Sequence, residues 1–389
     1  MAYHPEKTIL YVITSLSVGG AQKALLNLAC SDFSDDYKPC VVSLVEVDGI
    51  QQQFAQAGIP VYVLGLNHLV KLPLSLLRLF AWVRGIKPQI IHGWMHHGNL
   101  FATLLWWFSG RRPLLLWGMH HTPEQATLER FQHALVLKVG RWLSRFPQRI
   151  VYVSRRSMQR HQELGYATEH AQVIANGIPS HQESHREEYY RQVRQELGIP
   201  ADALLIGSLT RAVPEKDIPN LFAAISLLQQ SGQAAHFLLA GEGMSAANPA
   251  LKTLLETVPD QSKVHLLDVR TDASRLIAAL DIATLSSQRE AFPLFLAEAM
   301  AQGVPCVATD VGDIAECVAD TGLVVSSGDA RALAKAWEII LQQTPAQRQT
   351  LGERAQQRIT ALYSLDAVVD AYRRLLRGLM PGNKHPETN

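Results

Sequence analysis

The sequence predicts an α/β protein with two doubly wound domains, each built on a parallel sheet, and three observations support this. Short apolar runs alternate with helical patterns along most of the chain. Residues 8–30 have the pattern of a strand, a glycine turn and a helix, which is how a doubly wound domain opens. The pattern starts again at residue 204, and 389 residues are too many for one ordinary core.

The strands of the first domain are continuous apolar runs, which are typical of parallel strands buried on both faces. The first run covers residues 8–14 and leads into Gly19 and Gly20, followed by a helix at 21–30. An Asn-Gly turn at 176–177 indicates that this domain, residues 1–178, ends there. Further strands are predicted at 40–45, 61–64, 90–92, 114–119 and 149–154.

The second domain is predicted to cover residues 179–363 and repeats the alternation of strands and helices. A helix at 364–380 follows it, and the polar tail at 381–389 is predicted to be disordered. Strands of the second domain are predicted at 204–209, 236–240, 264–267, 282–285, 304–309 and 323–325.

The composition is that of a globular protein without a membrane span. Apolar residues make up 47% of the chain, and no run approaches the roughly 18 apolar residues that a spanning helix needs. The start of the chain lacks the features of a signal peptide. Four cysteines show no C-x-x-C spacing and are expected to be reduced thiols. We therefore expect a cytoplasmic protein.

The net charge of +1 is unevenly distributed along the chain. Residues 68–160 contain 14 basic residues and only two acidic ones, Glu124 and Glu129. Helices predicted at 70–85 and 134–146 are basic and rich in Leu, Trp and Phe. One interpretation is that their apolar faces pack on the sheet and their basic stems cover it. The other is that this surface lies on an anionic bilayer that holds a lipid-linked acceptor.

The run from residue 289 to 305 combines two carboxylates with a helix start. Pro293 favours the first position of a helix, and Gly303 is a typical helix stop. Glu290 is then expected in the loop before the helix and Glu298 in its second turn. The free amides of residues 294–296 suit a phosphate, and the carboxylates suit sugar and ribose hydroxyls. The alternative is an ordinary amphipathic helix with two solvated glutamates.

Cations and glycines follow the first two strands of the second domain. Arg211 and Lys216 come after strand 204–209, in a loop that enters a helix. A forked guanidinium and an ammonium suit a diphosphate, although two ordinary surface cations would give the same pattern. Gly241 follows strand 236–240 and begins a G-x-G run.

Histidines cluster at positions 92, 96, 97, 120 and 121. His92 and His96 are four residues apart, but no third ligand is evident, so we expect no metal site. His120 closes the strand at 114–119, at the edge where open α/β sheets bind ligands. Its alternative role is that of an ordinary loop histidine.

The motifs together resemble the retaining glycosyltransferases of family 4. The run from Glu290 to Gly312 is similar to the family's donor-site signature, E-G-F-P-x-x-x-x-E-A-M-A-x-G-x-P-V-V-x-x-x-x-G. G-G-A-Q-K-A-L-L-N-L-A resembles the family's entry loop, and T-R-A-V-P-E-K-D resembles its G-R-L-x-x-x-K-G. Ala291 and Asp217 stand where the family has glycine.

The resemblance implies the GT-B architecture, in which two Rossmann-like domains face each other and a C-terminal helix crosses back to the first. It implies a metal-independent, retaining hexosyltransferase without a cofactor beyond its co-substrate, a UDP-linked sugar. The implied acceptor is a hydroxyl of a glycan or lipid-linked glycan in surface polysaccharide or lipopolysaccharide biosynthesis. Peripheral attachment to the inner face of the plasma membrane goes with such an acceptor, and no nucleic-acid partner is expected.

The resemblance also implies a role for each matching residue. Glu290 would bind sugar hydroxyls, Glu298 the ribose, and His120 the sugar near the leaving oxygen. Gly19 and Gly20 would approach the donor phosphate, and Gly241 would make room for the ligand. The diphosphate would lie against the two cations and the helix start. The donor-binding set is Gly19, Gly20, Arg211, Lys216, Gly241, Phe292, Pro293, Leu294 and Glu298.

Two other functions fit the same motifs. A nucleotide-sugar epimerase of this architecture would convert the donor without any acceptor. A non-catalytic descendant would only bind the sugar nucleotide or a partner protein.

Overall fold

The computed structural model describes residues 7–47, 49–66, 72–123, 131–179 and 186–380, and the predicted tail at 381–389 lies outside them. The chain forms two compact units. The first runs up to Gly177 and includes the last helix from Leu365, and the second extends from Ile178 to Ser364. Each unit is built on one parallel sheet, so the predicted α/β class with two doubly wound domains is confirmed.

The first unit has a seven-stranded sheet in which all strands are parallel. The strand order is β3-β2-β1-β4-β5-β6-β7. The short strand β7 was not predicted, because its sequence, Ala-Gln-Val, contains no continuous apolar run. The strands are β1 (Lys7–Ile13), β2 (Tyr37–Ser43), β3 (Val61–Val63), β4 (Ile90–Trp94), β5 (Leu114–Met119), β6 (Arg149–Tyr152) and β7 (Ala171–Val173).

Helices cover both faces of this sheet, which explains why its strands are continuously apolar. Ile9, Tyr11 and Ile13 pack on one face, and Leu10 and Val12 pack on the other. Both sets are fully buried. The helices are α1 (Gly20–Ala29), α2 (Phe33–Asp36), α3 (Gln51–Gln56), α4 (Leu72–Ile86), α5 (Met95–Phe108), α6 (Phe131–Leu143) and α7 (Arg155–Glu163).

The second unit has a six-stranded parallel sheet in the order β10-β9-β8-β11-β12-β13. Neighbouring β8 and β11 lie on either side of the point where the strand order reverses, where ligands of such sheets bind. The strands are β8 (Leu204–Leu209), β9 (Ala235–Ala240), β10 (Val264–Leu267), β11 (Ile282–Leu285), β12 (Cys306–Thr309) and β13 (Gly322–Val325).

The helices of the second unit close its core around a buried tryptophan. Trp337 is fully buried, and its indole Nε1 donates a hydrogen bond to Thr284 Oγ1 at 2.9 Å. The helices are α8 (Arg186–Leu197), α9 (Ile218–Gln230), α10 (Pro249–Leu255), α11 (Ala273–Ala278), α12 (Leu294–Ala301), α13 (Ile314–Val318), α14 (Ala330–Leu341) and α15 (Pro345–Tyr363).

The last helix, α16 (Leu365–Leu379), belongs to the first unit, as predicted for a helix that crosses back. Val369, Tyr372 and Leu376 are spaced at helical intervals and are buried in the same core as β1 and α1. Arg373 Nε donates a hydrogen bond to Asp36 Oδ2 at 2.7 Å. None of the helices in the described parts of the chain is long and apolar enough to span a bilayer.

Candidate functional site

Two loops at the carboxyl ends of β8 and β11 are tied together by hydrogen bonds. The backbone N–H groups of Gln288 and Arg289 donate to the carbonyl of Glu215 at 2.9 and 3.2 Å. Ser286 Oγ donates to the carbonyl of Lys216 at 2.8 Å. These bonds fix the segments 214–217 and 286–290 against each other, and we call them the loop pair.

The loop pair brings Lys216 and Glu290 into direct contact. Lys216 Nζ donates to Glu290 Oε1, and Ser287 Oγ donates to the same oxygen at 2.9 Å. The two charged side chains are 20% and 10% exposed. The sequence predicted a phosphate-binding cation and a sugar-binding carboxylate separately. The structure shows that the carboxylate also orients the cation.

Asp217 ends the first loop in a left-handed conformation, with φ of +47°. Its Oδ1 accepts a hydrogen bond from the Asn220 N–H at 3.4 Å and so caps helix α9. Its Oδ2 accepts one from Gln288 Nε2 at 2.9 Å. At this position the family that the chain resembles has glycine. Aspartate adopts the same left-handed conformation because its side chain forms these local hydrogen bonds. The other departure, Ala291, has a negative φ and fits without strain.

Replacing Asp217 by alanine is expected to lower the free energy of unfolding by about 2 kcal/mol. The change removes the cap of α9 and leaves a side chain at positive φ. Asp217→Gly is the matched control and is expected to cost only about 0.5 kcal/mol, because glycine adopts positive φ freely. Urea denaturation measures both. Equal losses in the two variants would contradict the strain argument.

Helix α12 begins next to the loop pair, with one difference from the prediction. Pro293 is the N-cap rather than the first helical residue, with φ −81° and ψ 72°. The Leu294 N–H donates to the Phe292 carbonyl at 2.9 Å, so this amide is not free as predicted. The amides of residues 295 and 296 are the ones that precede the helical ladder. Gly303, with φ of +68°, follows the helix end as predicted.

The rest of the signature segment is packed closely around these groups. Glu298 lies in the second turn of α12 and is 7% exposed. The ring of Phe292 is also buried, with its centroid 5.5 Å from that of Tyr363. A Cβ at Gly312 would lie 2.4 Å from the Glu290 carbonyl oxygen, and its φ is +59°. Only glycine lets the chain pass so close behind Glu290.

Arg211 and Gly241 lie beyond the ends of β8 and β9. Arg211 is exposed, and its guanidinium has no ion-pair partner within the described residues. A Cβ at Gly241 would lie 2.2 Å from the Thr210 carbonyl oxygen, and its φ is +136°. A side chain at this position would therefore collide with the chain's own backbone, and the predicted contact of Gly241 with a ligand stays a prediction. Glycine at this position lets the two strand ends come together beside Arg211.

In the first unit, Gly19 and Gly20 form the start of helix α1. Gly19 is the N-cap, with an extended φ of −176°. Gln22 holds the preceding loop, because its Nε2 donates to Ser15 O at 3.3 Å and to Ser17 Oγ at 3.2 Å. A Cβ at Gly19 would lie 2.6 Å from Gln22 Oε1, so a side chain there would displace that amide.

His120 follows β5 directly and lies against Trp94, which the sequence analysis missed. The indole and imidazole rings are stacked, with centroids 3.9 Å apart and planes at 25°. Trp94 Nε1 also donates to the Ala21 carbonyl at 2.9 Å, in the first turn of α1. Trp94 thus connects His120 to the start of α1, next to Gly19 and Gly20, which we call the glycine loop. The predicted strand 90–92 stopped two residues before it.

His120 is neutral at physiological pH. Burial, and then the nearby His92, lower the pKa of His120 to about 3. Burial also lowers the pKa of His92, which is completely buried, to about 3. His120 therefore has a neutral imidazole ring. Such a ring can donate one hydrogen bond and accept another but carries no charge.

The free energy of unfolding is expected to decrease as the pH is lowered. The reason is that His92 takes up a proton at a higher pH in the unfolded chain than in the folded core. Because the pKa of His92 is lower in the folded state, the stability that depends on neutral His92 is fully present above about pH 6.5. It is lost progressively as the pH falls toward 3. The loss is about 2 kcal/mol at pH 5. Urea unfolding of the protein and of His92→Leu at pH 7.5 and 5 measures it. An unchanged pH dependence in the variant would contradict the assignment.

His96 of the predicted histidine cluster pairs with His161, which lies in α7. His96 Nε2 and His161 Nε2 are 2.9 Å apart, and one of them must donate to the other. Burial lowers the pKa of His161 to about 4. Among the residues that the structure describes, no three His, Cys, Asp or Glu side chains are grouped to hold a metal ion.

Two family models match the chain without overlapping. The model described as "Glycosyltransferase Family 4" matches residues 18–182, which include the glycine loop and His120. The model described as "Glycosyl transferases group 1" matches residues 200–343, which include the loop pair and α12. Together they contain every residue of the predicted site.

Curated relatives match about half of the chain. It is 27% identical over 199 residues to the N-acetyl-alpha-D-glucosaminyl L-malate synthase of Bacillus anthracis, covering 50% of each chain. It is 30% identical over 185 residues to the lipopolysaccharide core biosynthesis glycosyltransferase LpsE of Rhizobium meliloti, covering 47% of this chain and 52% of LpsE. The chain thus spans about half the length of these relatives.

A solved structure shares the whole fold. The crystal structure of Anabaena Alr3699/HepE in complex with UDP-glucose has a TM-score of 0.81 and 22% identity. The match covers 95% of this chain and 99% of the other. WaaG, described as a glycosyltransferase involved in lipopolysaccharide biosynthesis, matches with a TM-score of 0.72 and 17% identity, over 95% of this chain and all of WaaG. At these identities the likeness establishes the fold alone.

Proposed function

The chain belongs to the family 4 glycosyltransferases, and we propose that it transfers a sugar from a UDP-sugar to a glycan hydroxyl with retention at the anomeric carbon. The acceptor we propose is a glycan or lipid-linked glycan of a bacterial surface polysaccharide. The observation that carries the proposal is the loop pair, which holds Lys216 against Glu290 beside the start of α12.

The donor diphosphate fits the positive groups of the second unit. Lys216 and Arg211 both follow β8, and the open amides of residues 295 and 296 lie at the start of α12. Parallel strands bring these groups to one edge of the sheet. The choice of UDP is supported by Alr3699/HepE, whose fold this chain shares and which was crystallised with UDP and with UDP-glucose.

The reaction needs charge stabilisation more than covalent help. As the bond between the anomeric carbon and the diphosphate breaks, negative charge builds on the departing oxygen. Lys216, Arg211 and the helix amides stabilise that charge without a metal ion. The acceptor hydroxyl attacks from the face that the diphosphate leaves, which gives retention. Glu290 and Glu298 accept hydrogen bonds from donor hydroxyls, and neutral His120 contacts the sugar.

Product analysis tests the proposal. The purified protein is incubated with a panel of UDP-sugars, with and without a surface-glycan acceptor, and products are identified by mass spectrometry. We expect release of UDP that depends on the acceptor, and an α-linked product from an α-linked donor by NMR. Conversion of the sugar nucleotide without acceptor would indicate an epimerase. Tight UDP binding without any turnover would indicate a non-catalytic binding protein. Either outcome would contradict the proposal.

A further inference from the structure

Helix α6 exposes an apolar stripe where a solvent-facing helix normally has polar residues. Leu135, Val139 and Trp142 recur at intervals of four and three and are 50%, 38% and 55% exposed. The core side of the helix is occupied by other residues, including Leu137 and Leu143, which are buried. The stripe is therefore additional to the packing that holds α6 on the sheet.

Helices α4 and α5 continue this surface. Their buried sides share the core on the same sheet face as α6. On the outside, Leu74 and Leu77 of α4 are 53% and 68% exposed, and Phe108 at the end of α5 is 61% exposed. Phe108 contacts Phe80 of α4, with ring centroids 4.5 Å apart.

Ring contacts also join α5 to α6, so that aromatic side chains link the three helices. The ring of Phe146 lies 5.5 Å from that of Trp107 and 5.9 Å from that of Trp142. We call the outside of α4, α5 and α6 the outer face. Exposed apolar side chains on helices linked in this way indicate an interaction site more strongly than single exposed side chains do.

The charged side chains of α4, α5 and α6 that the structure describes are all basic, apart from histidine. Residues 72–112 and 131–149 contain nine Lys and Arg and no Asp or Glu. Lys138, Arg141 and Arg145 of α6 and the following turn are exposed and interleave with the apolar stripe. The Arg145 guanidinium lies over the Trp142 ring, 5.0 Å from its centroid.

We propose that the outer face docks the first unit on an anionic lipid bilayer. Leu, Phe and Trp side chains would enter the boundary between headgroups and acyl chains, and the basic side chains would meet the anionic headgroups. Aromatic and aliphatic groups with Lys and Arg interleaved among them suit that environment on both counts. The inference does not depend on sugar transfer, because the surface needs no donor or acceptor to bind.

Vesicle co-sedimentation of the full chain tests the proposal. Vesicles of phosphatidylcholine alone are compared with vesicles that contain one third phosphatidylglycerol, at 0.05, 0.15 and 0.5 M NaCl. We expect binding to the anionic vesicles that weakens with salt, since the Debye length falls from about 8 Å at 0.15 M to roughly half of that. Binding that ignores lipid charge, or no binding at 0.05 M, would overturn the proposal.

Paired variants locate the binding surface. L135Q/W142Q removes two apolar groups, and K138E/R141E reverses two charges. Each double variant is expected to reduce partitioning onto anionic vesicles at least tenfold. For K138E/R141E this follows because each basic residue contributes roughly fivefold. The matched control, I339Q/L362Q, changes side chains of the second unit that are 44% and 53% exposed, and is expected to bind vesicles like the unchanged protein.

Two further readouts keep the test decisive. The midpoint of urea unfolding is expected to stay nearly the same in all variants, which shows that a loss of vesicle binding is not a loss of folding. Vesicle binding that survives both outer-face variants would overturn the assignment. A dimer in size-exclusion chromatography that L135Q/W142Q dissociates, with unchanged vesicle binding, would identify a second copy as the occupant and would also overturn it.

Discussion

Lys216→Met is expected to lower kcat/KM for sugar transfer by roughly a hundredfold to a thousandfold. Methionine keeps the length and apolar stem of lysine but removes the charge that we propose stabilises the departing diphosphate. The loss of one charge-stabilising contact in a transition state typically costs about 3 to 4 kcal/mol. Steady-state assays with varied UDP-sugar measure the effect, and the larger part is expected in kcat.

The contact with Glu290 supplies the control for this variant. Removal of the ammonium leaves Glu290 without its cation at a position where its side chain is only 10% exposed. Lys216→Met/Glu290→Gln neutralises both groups and is expected to recover stability but not the rate. Arg211→Met, at an exposed position, is expected to cost less than Lys216→Met. A Lys216→Met enzyme within threefold of the unchanged protein would contradict the proposed role.

His120→Phe is expected to lower kcat by roughly a hundredfold, because the variant loses the ring nitrogens that we propose contact the sugar but keeps the stacking on Trp94. Since the pKa of His120 is about 3, His120 is not expected to titrate near pH 6.5. The pH–rate profiles of the unchanged enzyme and of His120→Phe are therefore expected to have the same shape around that pH. Rates measured between pH 5.5 and 8.5 test this. An inflection that His120→Phe removes would show a charged, titrating histidine instead.

Variants of Trp94 separate positioning from chemistry. Trp94→Phe keeps a ring against His120 but loses the hydrogen bond to the Ala21 carbonyl, and Trp94→Leu loses both contacts. We expect about a threefold loss of kcat for the phenylalanine and more than tenfold for the leucine. Equal losses would show that the ring stacking does not position His120.

Sequence patterns predicted the fold well because strands buried on both faces consist of nearly uninterrupted apolar residues. The apolar run at 8–14 was sufficient to predict β1 without information on its neighbouring strands. Its side chains alternate between the cores on the two faces of the sheet. Helix ends were also predictable where one residue type decides them, as Gly303 does for α12.

The contacts within the site were not predictable, because they join residues far apart in the chain. Lys216 and Glu290 are separated by 74 positions, and only the neighbouring positions of β8 and β11 bring them together. Trp94 contacts His120 from an adjacent strand, so local patterns could not reveal it. The bond between Leu294 and Phe292 depends on the ψ of Pro293, which residue type alone does not fix.

A crystal structure with bound UDP tests the central claim most directly. We predict that the pyrophosphate lies within hydrogen-bond reach of Lys216 Nζ, the Arg211 guanidinium and the amides of residues 295 and 296, with Glu298 bonded to the ribose. UDP bound elsewhere, or bound with Lys216 Nζ out of reach of the phosphates, would contradict it.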